Sequence, residues 1–300
     1  MIARLQRLLV FTVLAAAGGW WWASGVQGVG WPWRITVAIL ILLPHAPVLA
    51  FEFVLLAVFG NHHPAPRPSA WALVRAWAGE VLWGVQTFGW RQPFRANAVP
   101  DHLPARAPTD VGRRGVLLVH GYVCNRGLWN PWMRRLRRLD VPFIAVTMEP
   151  PFGSIDEYAG TIDAAVRRLQ AATGQQPLIV GHSMGGLAVR HWLQTCDGAS
   201  RCAGIVTVGS PHHGTWLARF AFSHNARQMQ RGSAWLAALA NAGPAMASFI
   251  CFYGHCDNIV FPAATATLPG ADNRHLPGLA HVHMLSSPEI FDAILSRVQA

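Results

Sequence analysis

The segment from Leu178 to Leu193 constrains the fold more than any other part of this chain. Leu178-Ile179-Val180, an apolar run of buried-strand type, leads into Gly181-His182-Ser183-Met184-Gly185-Gly186, and Leu187-Ala188-Val189-Arg190-His191-Trp192-Leu193 continues with helix periodicity. Strand, G-x-S-x-G and helix in that order predict a turn so sharp that side chains two residues before and after Ser183 would strike backbone. Glycine stands at both places. Such a turn lifts the Ser183 hydroxyl clear of the strand, at a helix N-terminus.

The same alternation extends from Arg113 onward. Gly115–Val119, Phe143–Thr147, Leu178–Val180, Ile205–Val208 and Ser248–Gly254 read as strands; Arg134–Leu139, Ile155–Leu169, Leu187–Leu193 and Pro288–Val298 read as helices. The expected fold class is α/β, with a mostly parallel sheet covered by helices on both faces.

A serine hydroxyl needs a base, and the base needs an acid to hold its tautomer. With this kind of turn the chain order is serine, acid, histidine. After Ser183 the acids are Asp197, Asp257, Asp272, Glu289 and Asp292, and order leaves Asp257 and Asp272. Asp257 follows a strand and is preferred, while Asp272 reads as a turn residue beside Asn273. Of the later histidines, His281 lies in a glycine-led loop and is preferred over His283, and His275 falls within a strand. The backbone N–H groups of Met184 and of Tyr122, in Val119-His120-Gly121-Tyr122, are the expected oxyanion donors.

These segments resemble an α/β-hydrolase of the lipase/esterase kind, similar to bacterial triacylglycerol lipases. Thr207-Val208-Gly209-Ser210-Pro211-His212-His213-Gly214-Thr215, Asp257-Asn258-Ile259-Val260 and Gly278-Leu279-Ala280-His281 carry the likeness further, which spans about 113–298. It implies an α/β-hydrolase fold, ester hydrolysis without a cofactor, and a helical lid at about 216–247 that includes Trp216, Leu217, Phe220, Phe222, Trp235, Leu236, Leu239 and Met246. A fixed helical cap is the alternative. It leaves the ester open, and an acyltransferase, a thioesterase or a non-catalytic lipid-binding scaffold would look alike.

Residues 1–60 lie outside that likeness and read as a transmembrane hairpin. Arg4, Arg7, Arg34 and Glu52 are their only charges, and Leu8 to about Val26 and Ile35 to Phe59 each reach the length of a span. A cleaved signal peptide is the rival reading of the first. Pro44-His45-Ala46-Pro47 breaks the second, and His45 and Glu52 share a face on which they can satisfy each other or turn to a partner helix. Residues 61–111 form a proline-rich connector holding an amphipathic helix, and 112–300 the hydrolase domain. The likeness to bacterial lipases implies the inner (cell) membrane of a bacterium, multi-pass, and the arginine bias puts the catalytic domain in the cytoplasm unless the broken segment re-enters.

Composition narrows the chemistry. The 24 basic residues are all arginine, which removes Schiff-base and P-loop lysine chemistry. The net charge of +10 is dispersed and no nucleic-acid motif accompanies it, so the expected partners are a lipid or ester substrate and the membrane. No metal site is expected, because the few Asp form no dense oxygen cluster. Five cysteines without C-x-x-C spacing read as reduced thiols or as one Cys196–Cys202 pair. Oligomeric state is open.

Overall fold

The computed structural model describes residues 1–61, 63–104, 113–220, 222–241 and 249–299. The expected boundary at 111/112, Pro108, Met246 and Ser248 lie outside the described residues.

Helix α1, Ile2–Val26, has 25 residues, about 37 Å at 1.5 Å per residue. It is long and apolar enough to cross a membrane. Helices α2, Trp31–Leu42, and α3, His45–Phe59, pass the same test only together, and they meet at 69°. Pro47 explains the break, since its ring lacks an N–H and collides with the carbonyl four residues earlier. The second arm of the expected hairpin is therefore two helices at a steep angle, the geometry of a broken span or of a re-entrant loop. Arg34 closes the turn between α1 and α2, donating to the Trp21 carbonyl at 2.9 Å and lying over the Trp21 and Trp31 rings.

His45 and Glu52 do not satisfy each other. His45 Nε2 lies 3.2 Å from the Val81 carbonyl, and Glu52 accepts from Asn258 Nδ2 at 2.7 Å. Both side chains take partners outside their own helix.

Helix α4, Ala70–Gly84, starts at Ser69, whose hydroxyl accepts the Ala72 N–H. It runs through a π-helical stretch, Val85–Arg91, into α5, Gln92–Arg95. Trp71, Val74 and Leu82 point outward from α4 and its one carboxylate, Glu80, is buried. That is the reverse of a water-facing helix.

Six strands follow: β1 Val116–Val119, β2 Phe143–Ala145, β3 Leu178–His182, β4 Gly204–Val208, β5 Phe249–Gly254 and β6 Asp272–Leu276. They form one sheet in the order β2-β1-β3-β4-β5-β6, with every neighbouring pair parallel. Asp272 opens β6 and pairs with Arg274 at 2.7 Å, so it is a strand residue rather than the turn residue expected. Helices α6, Asn130–Arg138, α7, Ala159–Thr173, and α8, Met184–Thr195, cover the sheet with the C-terminal helix described below.

Successive strand side chains point to opposite faces and so build two cores. Leu117, Val119, Ile179, Ile205 and Phe249 pack with α7 and α8. Val116, Leu118, Val180, Val206 and Ile250 pack with α6 and the C-terminal helix. After β4 the chain forms a 3-10 turn, Trp216–Phe220, then α9, His224–Gln228, and α10, Ala234–Asn241. Arg190 and Gln194 of α8 donate to the Leu239 carbonyl, and Leu236 and Leu239 are buried, whereas Phe220 and Phe222 are exposed. Helix α11, Pro288–Gln299, ends the fold. All five cysteines are free thiols.

Candidate active site

Ser183 stands between β3 and α8 with φ 54° and ψ −128°. A left-handed φ on a residue with a side chain costs free energy of order 1–3 kcal/mol, which the surrounding packing must supply. Here the glycines make that packing possible. A Cβ on Gly185 would lie 2.5 Å from the Val119 carbonyl oxygen and 2.6 Å from that of His120, and one on Gly181 would lie 2.7 Å from the Gly186 nitrogen. Backbone cannot retreat as a side chain can. Gly185→Ala is therefore expected to lower Tm by about 5 °C or more; thermal denaturation with a circular-dichroism readout checks it.

The other candidates come from the loops beyond the strands. Asp257, after β5, is 1% exposed; its Oδ1 accepts the N–H groups of Ile259 at 2.9 Å and Val260 at 2.8 Å. His281, after β6, is also buried, and its Nδ1 lies 3.0 Å from both Asp257 oxygens. The preference for Asp257 over Asp272, and for His281 over His283, selects the two residues that meet. Burial pulls the His281 pKa down, but the charge and hydrogen bond of Asp257, then the charges of Glu80 and Glu52, outweigh it and hold the imidazole above its ordinary 6.5.

Ser183 Oγ makes no hydrogen bond among the described residues. Its neighbour His182 touches the base instead, with Nε2 3.2 Å from the His281 carbonyl. Catalytic hydrogen bonds are often open before substrate binds. The β1 exit packs against the serine, since a Cβ on Gly121 would lie 2.8 Å from Ser183 Cβ. The N–H groups of Met184, which follows the serine, and of Tyr122, which follows Gly121, donate to no protein acceptor among the described residues. The Tyr122 hydroxyl pairs with Ser223.

His120 fixes that exit. Its Nε2 accepts the Met148 N–H at 2.9 Å, which leaves Nδ1 to donate to the Gly121 carbonyl at 2.8 Å, and burial lowers its pKa to about 4, so the ring is neutral.

Four further polar residues reach the site, and local sequence reasoning did not find them. Gln6, Glu52 and Glu80 come from the N-terminal helices, and Asn258 follows Asp257. Glu80 accepts the Val282 N–H with both oxygens, at 2.9 and 3.1 Å, and the His283 N–H at 2.9 Å. Burial raises its pKa against the opposing pull of those donors and of His281. One signal was available: Glu52 and Glu80 are the only acids before Asp101. Among the described residues no cluster of three or more His, Cys, Asp or Glu is arranged to hold a metal.

Residues 116–241 match the family described as the alpha/beta hydrolase fold. Solved structures share that fold. The mature lipase BlEst2 of Bacillus licheniformis aligns with TM-score 0.56 at 16% identity, over 63% of this chain and 93% of its own. Lipase B of Aspergillus fumigatus aligns with TM-score 0.56 at 19% identity, over 67% of this chain and 56% of its own. Phospholipase PlaB of Legionella pneumophila aligns with TM-score 0.51 at 18% identity, over 63% of this chain and 60% of its own. No curated protein sequence matches the chain.

Proposed function

We propose that this chain, which carries a domain of the α/β-hydrolase fold, is a membrane-anchored serine hydrolase that cleaves carboxylic esters of acyl or lipid type. The observation that carries the reading is the buried Asp257–His281 pair, joined through His182 to the strained Ser183 that follows it. Ser183 Oγ attacks the acyl carbonyl while His281 Nε2 takes its proton. The N–H groups of Tyr122 and Met184 meet the negative charge on the carbonyl oxygen. His281 returns the proton to the leaving alcohol, which departs and leaves an acyl-serine. Water, losing a proton to His281, then attacks the acyl carbon and releases the carboxylic acid and the free serine.

Placement at a membrane is supported by α1 and by the exposed apolar flanks of α2, α3 and α4. Gln6 near the start of α1 bonds to Val123, and Glu52 in α3 bonds to Asn258, so both ends of this helical excursion reach the hydrolase domain. That supports N-terminus and active site on one side, which the arginine bias makes the cytoplasm. The lipase and phospholipase neighbours favour a lipid ester as substrate class.

The test is labelling of the detergent-solubilised full chain by a fluorophosphonate, which reacts only with an activated serine. The rate is expected to rise with pH to a midpoint above 6.5, because the elevated His281 pKa must be passed before the base is free. No labelling at any pH would overturn the proposal.

A further inference from the structure

Each of three N-terminal helices sends one buried or half-buried polar side chain to a different loop of the site. Gln6 of α1 donates to the Val123 carbonyl at 3.2 Å, one residue beyond Tyr122. Val123 holds φ 55°, which a β-branched residue keeps only when it is held there. Glu52 of α3 accepts from Asn258 Nδ2 at 2.7 Å, and Asn258 Oδ1 in turn accepts the His281 N–H at 3.3 Å. Glu80 of α4 holds the Val282 and His283 N–H groups, directly after His281.

These contacts are costly to build. Glu80 is 4% exposed and has no arginine partner among the described residues, and a carboxylate taken out of water is costly before its hydrogen bonds are counted. An apolar residue at 80 would satisfy a helix that needed only to pack. The carboxylate instead spends its acceptor oxygens on the backbone of the loop carrying the base, 202 residues along the chain.

We infer that Glu80 and Glu52 are positioning residues of the hydrolase, and that the N-terminal helices form part of its catalytic unit instead of serving only as an anchor. The inference rests on the triad reading above. Glu80 sets the His281 loop, Glu52 acts through Asn258 on the junction of the Asp257 and His281 loops, and both place negative charge toward the imidazolium that forms during turnover. The ionisable groups facing His281 are Asp257 beyond β5, Glu80 on α4, Glu52 on α3 and His182 on β3; burial and the His281 charge hold His182 neutral.

The experiment uses the full chain in detergent with p-nitrophenyl esters, and kcat is expressed per fluorophosphonate-labelled site so that unfolded protein does not count. Glu80→Ala is expected to lower kcat by about 10- to 100-fold with KM within about twofold, because misplacing a base by an ångström has that scale of effect. Glu80→Gln, which keeps an acceptor oxygen but no charge, is expected to recover part of the loss and to move the midpoint of the pH profile downward. Glu52→Gln, at a half-buried position, is expected to move it the same way and guards against a Glu80 variant that does not fold. Wild-type kcat in Glu80→Ala, or a wild-type midpoint in both Gln variants, would overturn the inference. A wild-type protein that takes no label would instead overturn the triad reading.

Discussion

Ser183→Ala is expected to reduce p-nitrophenyl ester turnover by about 10^4-fold or more, since the loss of a nucleophile removes covalent catalysis and leaves only binding and oxyanion stabilisation. The fold should survive. Ser183 Oγ has no hydrogen-bond partner among the described residues, so its removal strands no buried donor or acceptor. Alanine meets the same strain at φ 54° that serine already meets, and the glycines that accommodate the turn remain. Stability is therefore expected within about 0.5 kcal/mol of wild type, measured by thermal denaturation alongside the assay. Turnover within tenfold of wild type in a folded Ser183→Ala protein would mean that the chemistry lies elsewhere.

What the sequence made legible follows from how locally each feature is encoded. Strand residues alternate between two cores, so the apolar runs at β1 to β5 and the turn glycines at 181 and 185 could be read from neighbours a few positions away. The pairing of Asp257 with His281 was reachable because chain order and a shortage of acids left few combinations. Glu80 and Val282 meet across 202 residues, and no periodicity within α4 names a partner at that distance. Hydropathy was also blind to direction. It marks α3 as part of an apolar span and α4 as an amphipathic helix, yet lipid-facing and protein-facing sides look alike on such a scale, and the polar residues that face inward are the ones that reach the site. His45 and Glu52 illustrate the same limit: their spacing puts them on one helix face, but each has its partner on another element.

Asp257→Asn is expected to lower kcat by about 10^4-fold while the loop keeps its shape. The asparagine oxygen can retain the bonds that Oδ1 now accepts from Ile259 and Val260. Its amide nitrogen is then turned toward His281 Nδ1, where a carboxylate oxygen stands at 3.0 Å. A donor facing Nδ1 favours the tautomer with the proton on Nε2, and that nitrogen cannot accept the Ser183 proton. The loss of charge acts in the same direction. Asp257 is the largest influence raising the His281 pKa, so the pH midpoint of the residual activity should fall even though Glu80 and Glu52 remain. Asp272→Asn supplies the contrast. The Asp272 side chain is exposed and bonds only to Arg274 among the described residues, and kcat should stay within about twofold of wild type. Steady-state kinetics of both variants across pH separates the cases: equal losses would mean that Asp257 acts through the fold, and a silent Asp257→Asn would remove it from the triad.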